Sequence, residues 1–216
     1  MNKNLYSLML MDEVVAEIDK LAVRRNTSRS ALVNQILADY VSLTTPEKRI
    51  DTVFRAVEAL LSNDAELVPL VSPRQGTMSV KTSLAYKYRP TVKYEVQLYR
   101  TPQGGAVGEL SVVFRTQSQV LLDRIADFFV LWRRLEDAYL ARFYPSGIRY
   151  GLYDGKFVRS IAVPQGCEYT SQQFGEAICA YVRMFDALLK AFVDGGSPAE
   201  LERRYRDYLD QGIGLI

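Results

Sequence analysis

Residues 6–41 read YSLMLMDEVVAEIDKLAVRRNTSRSALVNQILADYV, and this stretch decides the fold of the first part of the chain. Its start alternates between two faces, with Tyr6, Leu8 and Leu10 on one side and Leu5, Ser7 and Met9 on the other. This two-residue period is typical of a strand with one buried face. From Asp12 onward the apolar residues recur at helical spacing, and a turn at 26–28 separates two such segments. The stretch therefore predicts a strand, a helix, a turn and a second helix.

Polar residues mark where both helices begin. Asp12 and Glu13 provide negative charge at the first helix start, and either Ser28 or Ser30 can cap the second helix. Neither serine has Glu or Gln three residues later, so the sequence offers no complete capping box at this position.

The order of these elements and the segment NTSRSALVNQIL (26–37) resemble the ribbon-helix-helix fold of the CopG/Arc/MetJ class. The resemblance covers residues 1–45. It implies a homodimer, because so small a unit has too little core to fold alone. In this class the paired strands of two chains form an antiparallel ribbon that enters the major groove of DNA.

The resemblance also assigns contacts with double-stranded DNA. Outward strand residues read base edges, while the start of the second helix holds a backbone phosphate. Base reading then falls on Lys3, Asn4, Leu5, Ser7 and Met9. Phosphate contacts fall on Arg24, Arg25, Thr27, Ser28, Arg29 and Ser30.

Two observations keep open a role for this module in dimerisation alone. Leu5 and Met9 can touch a thymine methyl but cannot hydrogen-bond to a base edge. Basic and acidic residues are balanced over residues 1–45, whereas duplex-binding proteins usually have a basic footprint.

The composition excludes several classes of function. There is no histidine, which removes the commonest general base and transition-metal ligand, and the carboxylates form no recognisable acid–base pair. Gly104, Gly105 and Gly108 lack the Lys-Ser/Thr of a phosphate loop and fit a hairpin better. Cys167 and Cys179 match neither a disulfide framework nor a zinc pattern. We expect a cytoplasmic protein with reduced thiols, without signal peptide, membrane span, cofactor, metal or enzymatic activity.

Residues 46–216 predict a larger α+β domain with an antiparallel sheet and long helices on one face. A connecting helix is expected at 46–62, followed by strands that begin at Thr77 and include the alternating Tyr86 and Tyr88. Hairpin turns are expected at 102–105 and at 154–155. Helices at 121–139 and 174–192 have matching apolar seams, which would pack on each other, on a dimer partner or over the sheet. A last helix, capped by Ser197, reaches about Asp210.

One face of the expected sheet is basic. The residues that would hold an anionic effector or nucleic-acid backbone are Lys87, Arg89, Lys93, Tyr99 and Arg115. A solvated sheet face whose charges discourage edge pairing is the alternative.

The sequence thus favours a transcriptional regulator, a homodimer or a tetramer, that binds double-stranded DNA through residues 1–45. Residues 46–216 would add oligomerisation or bind a small-molecule or protein effector. An accessory protein of plasmid mobilisation or partition, which docks on DNA and recruits a protein, is the alternative.

Overall fold

The chain forms two compact units, Met1–Arg49 and Ile50–Ile216. The computed structural model describes residues 5–72, 76–153 and 155–216. The boundary between the units falls inside helix α3 (Pro46–Leu61), at the place of the expected connecting helix. Thr45 caps this helix, since its hydroxyl accepts a hydrogen bond from the Lys48 amide at 3.2 Å.

The first unit contains helices α1 (Asp12–Arg24) and α2 (Arg29–Tyr40). Asn26 makes the turn between them with a positive φ of 55°, which asparagine tolerates better than most residues. Of the two candidate serines, Ser28 caps α2, and its hydroxyl accepts from the Ala31 amide at 3.2 Å. Residues 5–10 do not form the expected strand within the single chain. A strand needs a neighbour for its backbone hydrogen bonds, and no strand among the described residues pairs with residues 5–10.

The second unit is built on a six-stranded sheet. Its strands are β1 (Val68–Ser72), β2 (Thr77–Ser83), β3 (Thr91–Gln103), β4 (Ala106–Arg115), β5 (Tyr150–Tyr153) and β6 (Lys156–Ile161). Their order is β1-β2-β3-β4-β6-β5, and every neighbouring pair is antiparallel. The helices are α4 (Gln119–Tyr139), α5 (Ser171–Val193) and α6 (Pro198–Asp210), with a 3-10 turn at Ala141–Phe143. The mixed helix-and-strand class expected from the sequence is confirmed.

Aromatic side chains join the two long helices to each other and to the sheet. Trp132 of α4 meets Phe185 of α5 with ring centroids 4.5 Å apart. Phe129 stacks on Phe157 of β6 at 4.4 Å, and Phe185 lies edge-on to Tyr94 of β3 at 5.9 Å. The matching seams therefore serve both helix–helix and helix–sheet packing within one chain.

Gly175 allows α5 to approach α3 closely. A Cβ at this position would lie 2.7 Å from the Ala56 Cβ and 2.8 Å from the Val53 carbonyl oxygen. Only glycine fits there without moving one of the two helices.

Two strand expectations differ from the structure, and a third agrees with it. Tyr86 and Tyr88 lie in a turn, because Tyr88 and Arg89 have positive φ and the Arg89 amide bonds to the Tyr86 carbonyl at 2.8 Å. Strand β1 was not expected, since Pro69 and its short length hide the alternation. The second hairpin joins β5 to β6 as expected, with Gly155 at φ 63°, while Asp154 of its turn lies outside the described residues.

Candidate nucleic-acid interface

Both faces of the expected ribbon strand are exposed in the single chain. Leu5 is 98% exposed and Tyr6 79%, although they belong to opposite faces of the alternating pattern. Ser7 and Met9 are also exposed, while Lys3 and Asn4 lie outside the described residues. The first unit thus leaves the strand's apolar side chains without a covering surface.

The two helices of the first unit bury little apolar surface. Their buried side chains are Ala22, Leu32 and Ala38. Larger apolar side chains remain exposed on or just after these helices: Val14, Leu21, Val23, Ile36, Leu37, Tyr40, Val41 and Leu43. A unit with so few buried side chains has too little hydrophobic stabilisation to offset its chain entropy.

The expected phosphate-binding residues gather at the start of α2. Ser28 is the N-cap, and Arg29 and Ser30 occupy the first helical positions, whose amides have no acceptor inside a helix. The Thr27 amide is already used, because it donates to the Ala22 carbonyl at 2.9 Å. Arg24 and Arg25 lie at the end of α1, on the other side of the turn. The structure therefore brings these six residues to one turn.

Arg29 has an intramolecular partner. Its Nε donates to Asp19 Oδ1 at 2.6 Å, and its second guanidinium nitrogen meets Asp19 Oδ2. This hydrogen bonding, reinforced by the charge of Arg29, holds the pKa of Asp19 below its usual value. Asp19 accepts hydrogen bonds from the two guanidinium nitrogens with which Arg29 would bind a phosphate. Sequence spacing gave no signal of this pair, whose members lie ten residues apart on different helices.

In the second unit, the expected basic sheet face is divided between the two ends of the sheet. Arg115 pairs with Thr91 at one end of β3, and Lys93 lies two residues further along the same face. Lys87 and Arg89 belong to the turn that leads into this end of β3. Tyr99 lies eight residues from Thr91, about 27 Å at the usual rise of an extended strand. Burial and the nearby Glu109 raise the pKa of Tyr99. The expectation that all five residues lie together is therefore wrong for Tyr99.

Two lysines outside the expected anion-binding set extend the basic end of the sheet. Lys81 pairs with Lys93, and Lys156 pairs with Val113, which itself pairs with Lys93. Paired residues on antiparallel strands share a face, so the three lysines form one row. The strand order that joins β4 to β6 was needed to find it.

A buried polar cluster in the second unit was also missed. Arg159 and Glu136 are fully buried, and Arg159 Nε donates to both Glu136 oxygens at 2.9 and 3.0 Å. The Tyr181 hydroxyl donates to Glu136 at 2.9 Å and accepts from the Trp132 indole at 3.0 Å. Burial opposes the charge of Arg159, but the neighbouring Glu136 carboxylate raises the pKa of Arg159 above its ordinary value.

Four buried polar atoms around this pair have no hydrogen-bond partner in the part of the chain that the structure describes. They are Arg159 Nη2 and the hydroxyls of Tyr144, Tyr150 and Tyr205. Buried polar atoms normally have a partner, and ordered water or a small polar molecule would provide one here. The sequence did contain a signal: Arg159 takes the inward position between Phe157 and Ile161, and Glu136 lies one turn after buried Trp132.

A cavity of about 350 Å³ lies near the ends of α4 and α6. Its lining residues are Tyr139, Leu140, Arg142, Phe143, Arg206, Leu209, Asp210, Ile213 and Leu215. The charged residues of this lining are Arg142, Arg206 and Asp210. Binding of an effector to residues 46–216 stays a prediction.

Residues 5–72, 76–153 and 155–216 contain no group of three or more His, Cys, Asp or Glu side chains that could hold a metal ion. In the same ranges no helix is long and apolar enough to cross a membrane. Cys167 and Cys179 are free thiols, the second one buried. No protein-family model, curated protein or solved structure matches this chain.

Proposed function

We propose that this protein is a homodimeric DNA-binding regulator of the ribbon-helix-helix class. Two copies of residues 5–10 pair as an antiparallel ribbon and enter the major groove, while the start of α2 holds a backbone phosphate. The regulator binds a pair of half-sites related by the two-fold symmetry of the dimer.

The observation that supports this proposal most is the exposure of the apolar side chains in the first unit. Tyr6 and Leu8 are 79% and 63% exposed in the single chain, and the apolar residues of both helices are largely uncovered. A second copy is the occupant that fits, because an alternating strand offers its backbone to an identical strand. Pairing would bury one face of the ribbon against both helices and leave Leu5, Ser7 and Met9 for the groove.

The end of α2 that meets DNA is also suitable for an anion. The Ser28 cap leaves the amides of Arg29 and Ser30 available, and three arginines lie in or beside the same turn. Helix N-termini bind phosphate through such amides and the helix dipole.

The test is recovery of sheared genomic DNA by the full-length protein at physiological salt, together with its molar mass in solution. We expect a dimer and enrichment of a short inverted repeat. Tyr6→Asp with Leu8→Asp should abolish both, because the paired face would carry buried, unpaired carboxylates. Val120→Asp with Val130→Asp, two exposed positions on α4 with the same charge change, is the matched control. A monomeric wild type, or recovery no better than bulk DNA, would overturn the proposal.

Dimerisation without DNA reading is the second candidate. The Arg29 guanidinium is already bound by the Asp19 carboxylate. Two of the positions expected to contact base edges are the apolar Leu5 and Met9. The same experiment separates the two, since this candidate gives a dimer that enriches no sequence. An accessory protein that recruits a partner has less support, because the exposed apolar residues of the second unit are spread over both edge strands, α3, α4 and two loops.

A further inference from the structure

The outer face of the sheet, opposite the long helices, carries a row of three lysines, Lys81, Lys93 and Lys156. Lys81 and Lys93 are direct partners on neighbouring strands, about 5 Å apart at the backbone. Lys156 lies two strands from Lys93 and so about 10 Å away, with Val113 between them. We call these residues the lysine row.

Further cations lie at the same end of the sheet. Arg115 pairs with Thr91, next to Lys93 on the same face, and is exposed. The turn between β2 and β3 adds exposed Lys87 and Arg89. Six basic side chains thus occupy the sheet end at which β3 begins.

Few carboxylates balance this charge among the residues that the structure describes. Glu95 bonds to Lys93 at 3.1 Å and lies one position further along the outer face. Glu109 pairs with Gln97, four residues along β3 from Lys93 and so about 13 Å away. The charged side chains at this end of the face are therefore mostly basic, whereas the net charge of the whole protein is only +2.

We propose that the lysine row and the arginines beside it bind the phosphate backbone of double-stranded DNA, as a contact in addition to the ribbon. This inference rests on the proposed function. Lysine suits the task because its ammonium is a point charge on a flexible stem that needs no fixed geometry. The contact recognises phosphate spacing and charge, and it adds affinity for any duplex without adding base preference.

The test is the salt dependence of binding by the full-length protein to a duplex of arbitrary sequence. Each phosphate contact contributes about 0.9 to the slope of log K against log salt concentration. We expect Lys81→Gln with Lys93→Gln and Lys156→Gln to lower that slope by about 2 to 3 and to weaken binding about tenfold or more at 0.1 M salt. The control variant, Arg55→Gln with Arg134→Gln and Arg203→Gln, loses the same charge from exposed positions on α3, α4 and α6. Its slope should stay near that of the wild type.

An unchanged slope in the lysine-row variant would overturn this inference. If removal of Lys93 from Glu95 impairs folding, Lys81→Gln with Lys156→Gln should still lower the slope by about 2. Tyr6→Asp with Leu8→Asp, measured in parallel, tests the proposed function separately. If that variant binds like wild type while the lysine-row variant is weakened, the second contact stands and the ribbon assignment fails. If the lysine-row variant binds like wild type while the Tyr6 and Leu8 variant is weakened, only the ribbon contact remains.

Discussion

At the residue scale, ion pairs decide what each charged side chain is free to do. Arg29 is placed where the ribbon-helix-helix resemblance puts a phosphate contact, but it is engaged by Asp19. Arg159 is one of three regularly spaced strand residues that point into the core, and Glu136 compensates its charge there. The sequence indicates the positions of these arginines and not their partners, because each partner comes from a different element.

Replacing Asp19 by Asn should strengthen DNA binding under the proposed function. The change releases the Arg29 guanidinium for phosphate and removes a negative charge near the interface. We expect a gain on the order of fivefold at 0.1 M salt, about the effect of one phosphate contact. The control is Glu17→Gln on the same helix, whose partner is Lys20 at 2.6 Å. Equal gains from both variants would show a general charge effect and contradict the role given to Arg29.

Removing one member of the buried Arg159–Glu136 ion pair should lower the free energy of unfolding substantially. Arg159→Met leaves the Glu136 carboxylate buried without its cation, and we expect a loss of about 3 to 5 kcal/mol in the free energy of unfolding. Adding Glu136→Leu to that variant should restore part of the loss, since no buried charge then remains. Urea unfolding of both single variants and the double variant measures the coupling. Arg203→Met, which removes an exposed partner of Asp207, should change stability little. Additive losses in the double variant would contradict coupling between the two residues.

At the element scale, periodicity predicted the helices and the hairpins better than the edges of the sheet. The spacing of Leu121, Ile125 and Phe128 places α4 correctly, because a helix buries one stripe whatever lies against it. The short β1 and the turn at Tyr86–Arg89 could not be recovered in this way. Alternation in a short segment does not distinguish a strand from a turn when positive φ values reverse the chain. The lysine row depends on strand order, which one sequence does not contain.

Asp64, in the loop between α3 and β1, should make the free energy of unfolding depend on pH. Burial opposes ionisation of Asp64, but the amides of Leu67 and Glu66 and the Arg183 guanidinium keep its pKa below the usual value. A lowered folded-state pKa contributes stability above about pH 4, and that stability is lost as the pH falls below the ordinary pKa of about 3.9. Asp64→Asn should therefore lower the free energy of unfolding by about 1 kcal/mol at pH 7.

Urea unfolding at pH 7, 5, 4 and 3 measures this effect, and the deficit of Asp64→Asn should shrink at the two lowest values. Asp123→Asn, at an exposed position of α4 bonded to Gln119, is the control. A deficit that stays constant over the whole range would contradict the contribution assigned to the carboxylate.

At the scale of the whole molecule, the two units differ in how they are stabilised. The second unit has an extensive core of sheet and helix residues, with Val92, Tyr94, Leu110 and Phe185 completely buried. The first unit buries three apolar helix side chains. Its stability is therefore expected to depend on association, and the stability of the second unit on its own core.

Thermal unfolding should accordingly show two transitions. Under the proposed function the first transition belongs to the dimeric unit, so its midpoint should rise by about 5 °C or more over a hundredfold increase in protein concentration. The midpoint of the second transition should not change with protein concentration. Calorimetry over that range measures both, and Tyr6→Asp with Leu8→Asp should remove the concentration dependence. One transition with a constant midpoint would contradict this description.

The order of the strands has a consequence for how the second unit is made. Strands β1 to β4 form successive hairpins, but β4 gains its other neighbour only when β6 arrives, after α4 and β5 have been synthesised. Closing that longer loop is slower than forming the hairpins. Until then the free side of β4 is an open edge with Leu110, Val112 and Phe114 beside it. A nascent or truncated chain that ends before Ile161 should therefore be prone to aggregate through β4, and the complete chain should not.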